Sequence, residues 1–226
     1  MLTKSLLGIV LSLPGIILAP AIHEYFKALC SSRQGDPFPR VRGRLRLNPF
    51  RHFEPVGFFL LLVFGYGWGN PVETNSSRYK DRKRGTLITY VAPSLMNVLF
   101  AFAAASILAI SKVVARNYGF PIMDAASALR AADGALASFG PLAFSLSYQM
   151  VYYFVQYNLG MAFFNLLPVY PLDCNKILSV FLSPANAIKL GQYEKMLQVI
   201  LVVLLAFGTI NAIFDPIVRF LLRFAL

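Results

Sequence analysis

The feature that most constrains the fold is an apolar run near the start of the chain that ends in three ionisable residues. Residues 5–22 contain no charge, and a helix that continues to about Leu29 can cross a hydrocarbon core of roughly 30 Å. Pro14 and Pro20 lie in this run, and membrane helices tolerate proline when neighbouring groups satisfy the freed carbonyls. The composition agrees, since 57% of the residues are hydrophobic and 14% are charged. We therefore expect an α-helical polytopic membrane protein.

The basic character of the chain also fits a membrane protein. The formal net charge is +11, but the lysines and arginines lie in short loops beside apolar runs, where they flank a bilayer rather than form a nucleic-acid surface. The two cysteines provide no disulfide framework. We expect the lipid bilayer as a partner, and no nucleic acid.

The hydropathy pattern predicts one domain over residues 1–226 with about four transmembrane helices. A further apolar run at 56–66 is too short to cross as a helix and is predicted to be re-entrant. Residues 112–138 are mixed in character and are predicted to form an extramembrane connection with a short amphipathic helix. The four predicted spans lie at 5–29, 85–110, 139–169 and 197–214.

A short basic segment between the first two apolar runs has the alternation of a strand. In residues 40–47, arginine alternates with small or apolar residues, and Pro39 and Pro49 bound the segment. A period of two predicts a small interfacial β-hairpin with one cationic face suited to lipid phosphates. A solvated basic loop is the alternative interpretation.

The distribution of lysine and arginine predicts the orientation. Fourteen of these residues lie in the loops 30–84 and 170–195, and six lie on the other side. Because cytoplasmic loops carry the excess of positive charge, we expect both loops on the cytoplasmic side of a bacterial plasma membrane. The end of the first span and the loop after the third then face the same leaflet.

The ionisable residues that end the first span have the spacing of a zinc-protease helix with one substitution. His23, Glu24 and Lys27 align with the pattern H-E-x-x-H, in which two histidines at i and i+4 bind the metal and the glutamate is the general base. Ionisable residues inside a membrane segment are costly and indicate a functional site. Asp173 lies at the membrane edge after the third span, where it can join this group, cap a helix or pair with a lysine.

Together these stretches resemble the site-2 protease family of intramembrane zinc metalloproteases. Four other segments carry the resemblance in the order and spacing of that family, so that it covers most of the chain. They are NPFRHFEPVG at 48–57, GWGNPV at 67–72, APSLMN at 92–97 and NLLPVYPLDC at 165–174.

The resemblance implies a zinc site and a substrate groove. By this resemblance His23 and Asp173 are metal ligands, Glu24 is the catalytic base, and Asn165 and His52 are substrate-binding residues. The substrate is then a transmembrane or membrane-anchored protein segment whose strand adds to a sheet edge. From their positions alone, Asn165 equally fits a helix cap, His52 an interfacial structural histidine, and Asn97 an interhelical hydrogen-bonding residue.

The departure at position 27 leaves two protein ligands where zinc catalysis needs three and an open position. We expect the Lys27 ammonium to sit near the metal position and to bridge Glu24 and Asp173, since buried acids need compensating charge. Three functions stay open: a pseudoprotease that binds membrane segments without zinc hydrolysis, an active zinc endopeptidase using His23, Asp173 and Glu24, and a small membrane transporter.

Overall fold

The computed structural model describes residues 6–120, 122–123, 127 and 139–225, and these ranges contain helices and loops but no β-strand. Two short 3-10 helices cover Pro49–Arg51 and Ser76–Arg78. The predicted helical class is therefore confirmed. The α-helices are α1 (Leu6–Arg33), α2 (Phe38–Val41), α3 (Pro55–Phe64), α4 (Arg82–Tyr118), α5 (Phe139–Phe164), α6 (Asp173–Phe181), α7 (Pro184–Gln192), α8 (Glu194–Ala206) and α9 (Thr209–Ala225).

Two of the described helices, α1 and α4, are long and apolar enough to cross a membrane. The prediction of about four spans is not supported. The predicted third span forms α5, which contains Gln149, Gln156 and Asn158 and is not among the helices that meet the length and hydropathy of a span. The predicted fourth span is broken into α8 and α9, which meet at 68°. Gly208 adopts a φ of 72° at this break, a left-handed conformation that ends a helix.

The helices α1, α4 and α5 pack against one another and form the centre of the molecule. Small residues allow the close approach, as in membrane helix packing generally. A Cβ atom added to Gly15 of α1 would lie 3.0 Å from the Tyr153 carbonyl oxygen of α5. On the other side of α5, Ala101 and Ala105 of α4 are fully buried against Val155. The interior of this bundle is consequently closed to solvent, and polar groups inside it must bond to one another.

The predicted β-hairpin at 40–47 is not supported. Residues 38–41 form α2, and the chain then turns at Gly43, whose φ is 65°. The backbone hydrogen bonds are local, with Val41 N–H donating to Pro37 and Arg44 N–H donating to Pro39. Proline in the first turn favours a helix start, and this local pairing replaces a cross-strand ladder.

The apolar run at 56–66 does form a short helix, α3, which ends at Gly65 with a φ of 84°. An irregular segment, residues 65–75, follows, and its Val72 N–H donates to Glu24 of α1. A Cβ atom at Gly57 would lie 2.1 Å from the Trp68 carbonyl oxygen. The absence of a side chain at this position therefore lets the irregular segment lie directly on α3.

The predicted connection at 112–138 begins later than expected, because α4 continues to Tyr118. Gly119 caps that helix with a φ of 67°. Most of the remaining connection, including its predicted amphipathic helix, lies outside the described residues.

Candidate functional site

Four ionisable side chains meet in the closed interior, between α1 and the start of α6. His23, Glu24 and Lys27 come from one face of α1, because residues three and four apart neighbour each other on a helix. Asp173 is the first residue of α6. All four are buried, and Lys27 retains only 2% of its accessible surface. These residues are called the charge cluster below.

Lys27 bridges the two acids of the charge cluster. Its Nζ lies 2.6 Å from Glu24 Oε1 and 2.6 Å from Asp173 Oδ1. The contact to Glu24 is local to α1, whereas the contact to Asp173 joins α1 to α6. The ring of Tyr90 on α4 also faces the ammonium, with its centroid 5.9 Å from Nζ. The predicted ammonium bridge is confirmed.

His23 is held between two oxygen acceptors. Its Nε2 lies 2.9 Å from Asp173 Oδ2, and its Nδ1 lies 2.8 Å from Asn97 Oδ1. The Asn97 amide nitrogen donates to the Ala19 carbonyl and to Asn158 Oδ1, so its oxygen is left to accept from the ring. The ring of His23 is therefore fixed between Asn97 of α4 and Asp173 of α6.

The two acids of the charge cluster face Lys27 and His23. The Lys27 ammonium contacts both Glu24 and Asp173, and a buried charge requires such a partner. Burial opposes the ionisation of Asp173, but Lys27 and His23 hold the pKa of its carboxyl below the ordinary value. The fourth group, Glu24, uses its second oxygen Oε2 to accept a 2.8 Å bond from Val72 N–H. The cluster thus connects α1, α6 and the irregular segment.

The residues of the charge cluster do not fit a catalytic zinc ion. A zinc-binding histidine must be neutral and direct a nitrogen lone pair at the metal. His23 Nε2 instead faces Asp173 Oδ2, and an ammonium stands at the third ligand position. Within the described ranges, no group of three or more histidine, cysteine, aspartate or glutamate side chains is arranged to hold a metal.

The two predicted substrate-binding residues are buried and bonded within the chain. The Asn165 amide donates 2.9 Å to the Met161 carbonyl, and the Asn165 carbonyl accepts from Cys174 N–H, which joins α5 to α6. His52 Nε2 lies 2.8 Å from the Arg46 carbonyl oxygen, and burial lowers the pKa of this imidazole. Asn165 and His52 therefore make hydrogen bonds that stabilise the chain itself, and their role toward a substrate stays a prediction.

Sequence reasoning identified Asn97 as an interhelical hydrogen-bonding residue, which is confirmed, but it did not place this residue against His23. It missed Asn158 altogether. That side chain donates 2.9 Å to the Phe154 carbonyl and accepts from Asn97, and so fixes the orientation of the Asn97 amide. The signal in the sequence is an asparagine within a long run that contains no charged residue, and the structure shows it fully buried.

The chain is similar to a protein of Bacillus subtilis (strain 168) named "Putative zinc metalloprotease YwhC". The two are 30% identical over 189 residues, which cover 84% of this chain and 77% of the Bacillus protein. No protein-family model matches the chain. No solved structure matches it either.

Proposed function

The chain belongs to the metalloprotease family of the Bacillus YwhC protein, and from this premise we propose that it is a site-2-protease-like pseudoprotease. In this proposal the protein is embedded in a membrane through α1 and α4. It binds transmembrane or membrane-anchored protein segments and does not hydrolyse them through zinc. The single observation that carries the proposal is the ammonium of Lys27, which lies 2.6 Å from both acids of the site.

The loss of hydrolysis follows from what each member of the charge cluster already contacts. A general base must reach the proton of the attacking water. Glu24 instead contacts Lys27 through Oε1 and the Val72 N–H through Oε2. Asp173 likewise contacts Lys27 and His23 with its two oxygens. Every carboxylate oxygen of the cluster thus already has a partner within the chain, and the Lys27 ammonium lies against both acids that a zinc protease would use for the metal and the water.

The binding role is supported by the irregular segment that crosses the charge cluster. The N–H groups of Asn70 and Val72 both point inward, to the His52 carbonyl and to Glu24. A surface cleft adjoins this segment and is lined by Asn70, Pro71 and Glu73 together with Arg42 and Arg44. In this proposal an extended segment of a partner lies in that cleft.

The proposed location is a bacterial plasma membrane, with the loops 30–84 and 170–195 on the cytoplasmic side. The end of α1 and the start of α4 lie together, because Lys80 N–H donates 3.2 Å to the Gln34 carbonyl. The basic residues that follow α1 and precede α4 are therefore at the same end of the bundle, as the excess of positive charge on one side predicts.

The proposal is tested by measuring metal in the purified full chain and in the variant Lys27→His. This variant restores the i, i+4 histidine pair beside Asp173, which gives three ligands and an open position. We expect no stoichiometric zinc in the wild-type chain and about one zinc per chain in Lys27→His. A second variant, Lys27→His with Asp173→Asn, should lose that zinc again and serves as the matched control.

Cleavage of a model transmembrane substrate completes the test. We expect no cleavage by the wild-type chain and none by its Glu24→Gln variant. If the wild-type chain holds one zinc and cleaves the substrate, and Glu24→Gln abolishes that cleavage, the chain is an active zinc endopeptidase. Crosslinking of the same substrate to a photoreactive group at Glu73 tests binding separately, and its absence would contradict the binding role.

A further inference from the structure

A basic and apolar surface lies next to the charge cluster and takes no part in it. It is formed by residues 38–53, which contain five arginines and no acid and which we name the Arg–Phe surface. Arg40, Arg46 and Arg51 are exposed. Two apolar side chains between them are also open to solvent, with Val41 exposed at 80% and Phe50 at 87%. Large exposed apolar side chains among arginines indicate an interaction surface.

Two of the five arginine side chains bond to other groups among the described residues. Arg44 donates to the carbonyls of Arg51 and Asn70 and thereby holds the segment in shape. Arg42 pairs with Glu73 at 3.3 Å on the surface. Within the part of the chain that the structure describes, no carboxylate lies in ion-pair distance of the three exposed arginines. Their positive charge is therefore available to a partner.

The position of the Arg–Phe surface identifies the kind of partner. Pro49 and His52 pack beside Pro20 of α1, and the segment joins two apolar helices, α1 and α3. If α1 spans a membrane, the surface lies where hydrocarbon meets headgroups. Guanidinium groups bind phosphate oxygens in a bidentate manner, and exposed Phe and Val side chains insert among acyl chains. A purely polar ligand would leave the apolar side chains between the arginines, Val41 and Phe50, exposed to water.

We propose that the Arg–Phe surface binds the headgroup phosphate of an anionic phospholipid, with Arg40, Arg46 and Arg51 on the phosphate and Phe50 between the acyl chains. The proposal rests on the membrane insertion of α1 proposed above but not on the loss of zinc hydrolysis. The electrostatic attraction of the arginines and the insertion of the aromatic ring are each weak, but together they give a stable contact with one leaflet. The bound lipid then fixes how deeply residues 38–53, which include the cleft residues Arg42 and Arg44, lie in the membrane interface.

The test uses the purified full chain in a non-ionic detergent, with lipid bound to it counted by native mass spectrometry. The probes are phosphatidylglycerol, phosphatidylcholine and inorganic phosphate. An arginine near an anionic surface contributes roughly fivefold in affinity. We therefore expect wild-type chain to prefer phosphatidylglycerol over phosphatidylcholine, and the variant Arg40→Gln/Arg46→Gln/Arg51→Gln to bind phosphatidylglycerol at least about tenfold more weakly.

The matched control is Arg82→Gln/Lys83→Gln/Arg84→Gln, which removes the same charge from exposed residues at the same end of the bundle. It should retain phosphatidylglycerol affinity within about twofold, since these residues lack interleaved apolar side chains. The single variant Phe50→Ser should weaken phosphatidylglycerol binding several-fold while all three arginines remain.

Four results would overturn the proposal. One is unchanged phosphatidylglycerol binding by the triple arginine variant, and another is an equal loss in the matched control. A third is displacement of the lipid by equimolar inorganic phosphate, which would indicate a site for a free anion. The fourth is binding of a duplex oligonucleotide, with loss in the triple variant and no lipid preference, which would assign the surface to nucleic acid. Failure of the zinc experiment alone would leave lipid binding unaffected.

Discussion

Replacing Lys27 by methionine is the perturbation that bears most directly on the charge cluster. Methionine keeps an unbranched side chain of similar length but removes the ammonium. Two carboxylates, Glu24 and Asp173, then lose a partner that lies 2.6 Å from each. The net charge of the cluster falls by one in an interior closed to solvent. We expect this single change to destabilise the whole fold rather than only the site.

The magnitude follows from the burial of the cluster. Removing one partner of a buried ion pair costs about 3–5 kcal/mol, because the other charge is left uncompensated. Lys27 serves two acids, so we expect Lys27→Met to fall in the upper part of this range. Removing a charge of each sign costs less. The double variant Lys27→Met/Glu24→Gln removes one charge of each sign and keeps the contact between His23 and Asp173, and Gln can still accept from the Val72 N–H.

The assay is equilibrium unfolding of the full chain in mixed micelles, followed by tryptophan fluorescence. Trp68 is the single tryptophan of the chain and is buried next to the cluster. We expect the free energies of unfolding of Lys27→Met, Glu24→Gln and the double variant to give a coupling energy of about 2 kcal/mol or more. An exposed substitution, Lys83→Met, should stay within about 0.5 kcal/mol of wild type.

Two results would refute the reasoning. If the free energy of unfolding of Lys27→Met lies within about 1 kcal/mol of the wild-type value, the ammonium is not the compensating charge of the cluster. If the costs of the two single variants simply add in the double variant, Lys27 and Glu24 do not depend on each other. In either case the account of position 27 as the substitute for a divalent ion would have to be abandoned.

Two further predictions concern the segments that enclose the site. Gly57→Ala should destabilise the fold by about 1–3 kcal/mol, because the added Cβ would clash with the Trp68 carbonyl oxygen and the backbone would have to shift. At the control position, Gly191→Ala, the added Cβ has no atom within 4 Å, so this variant should be as stable as wild type. Asp36→Asn should cost about 1–3 kcal/mol, since this buried carboxylate accepts from one hydroxyl and two backbone N–H groups through both oxygens, and the single amide oxygen of Asn cannot replace both. The exposed Glu73→Gln should cost less than 1 kcal/mol. Both are measured by the same unfolding assay, and equal costs in variant and control would contradict them.

The local half of the charge cluster could be predicted from the sequence. Helix geometry alone puts Glu24 and Lys27 in contact, because they are three residues apart in one apolar run. The need for a counter-charge in such a run also identified Lys27 as the partner of Asp173. Both expectations depend only on neighbours in sequence and on the cost of burying charge, and these do not change with tertiary context.

The predicted hairpin and the predicted four spans depended on context that a sequence pattern does not contain. The alternation of arginine at 40–47 has the period of a strand, but a strand also needs a second strand to pair with its backbone N–H and C=O groups. Here backbone groups of this segment form local, helix-type hydrogen bonds instead. Length and apolar content favoured a third span, yet its polar residues serve the inside of the bundle. Asn158 in α5 is used there to orient Asn97.

What the sequence by itself determined is the apolar first helix and the face on which His23, Glu24 and Lys27 lie, since both follow from the period of the α-helix. Only the tertiary structure decided which distant groups complete that face. His23 and Asp173 are 150 residues apart, and 74 residues separate His23 from Asn97. Contacts across such separations depend on how α1, α4, α5 and α6 pack, and packing is a property of the whole chain that no local spacing specifies.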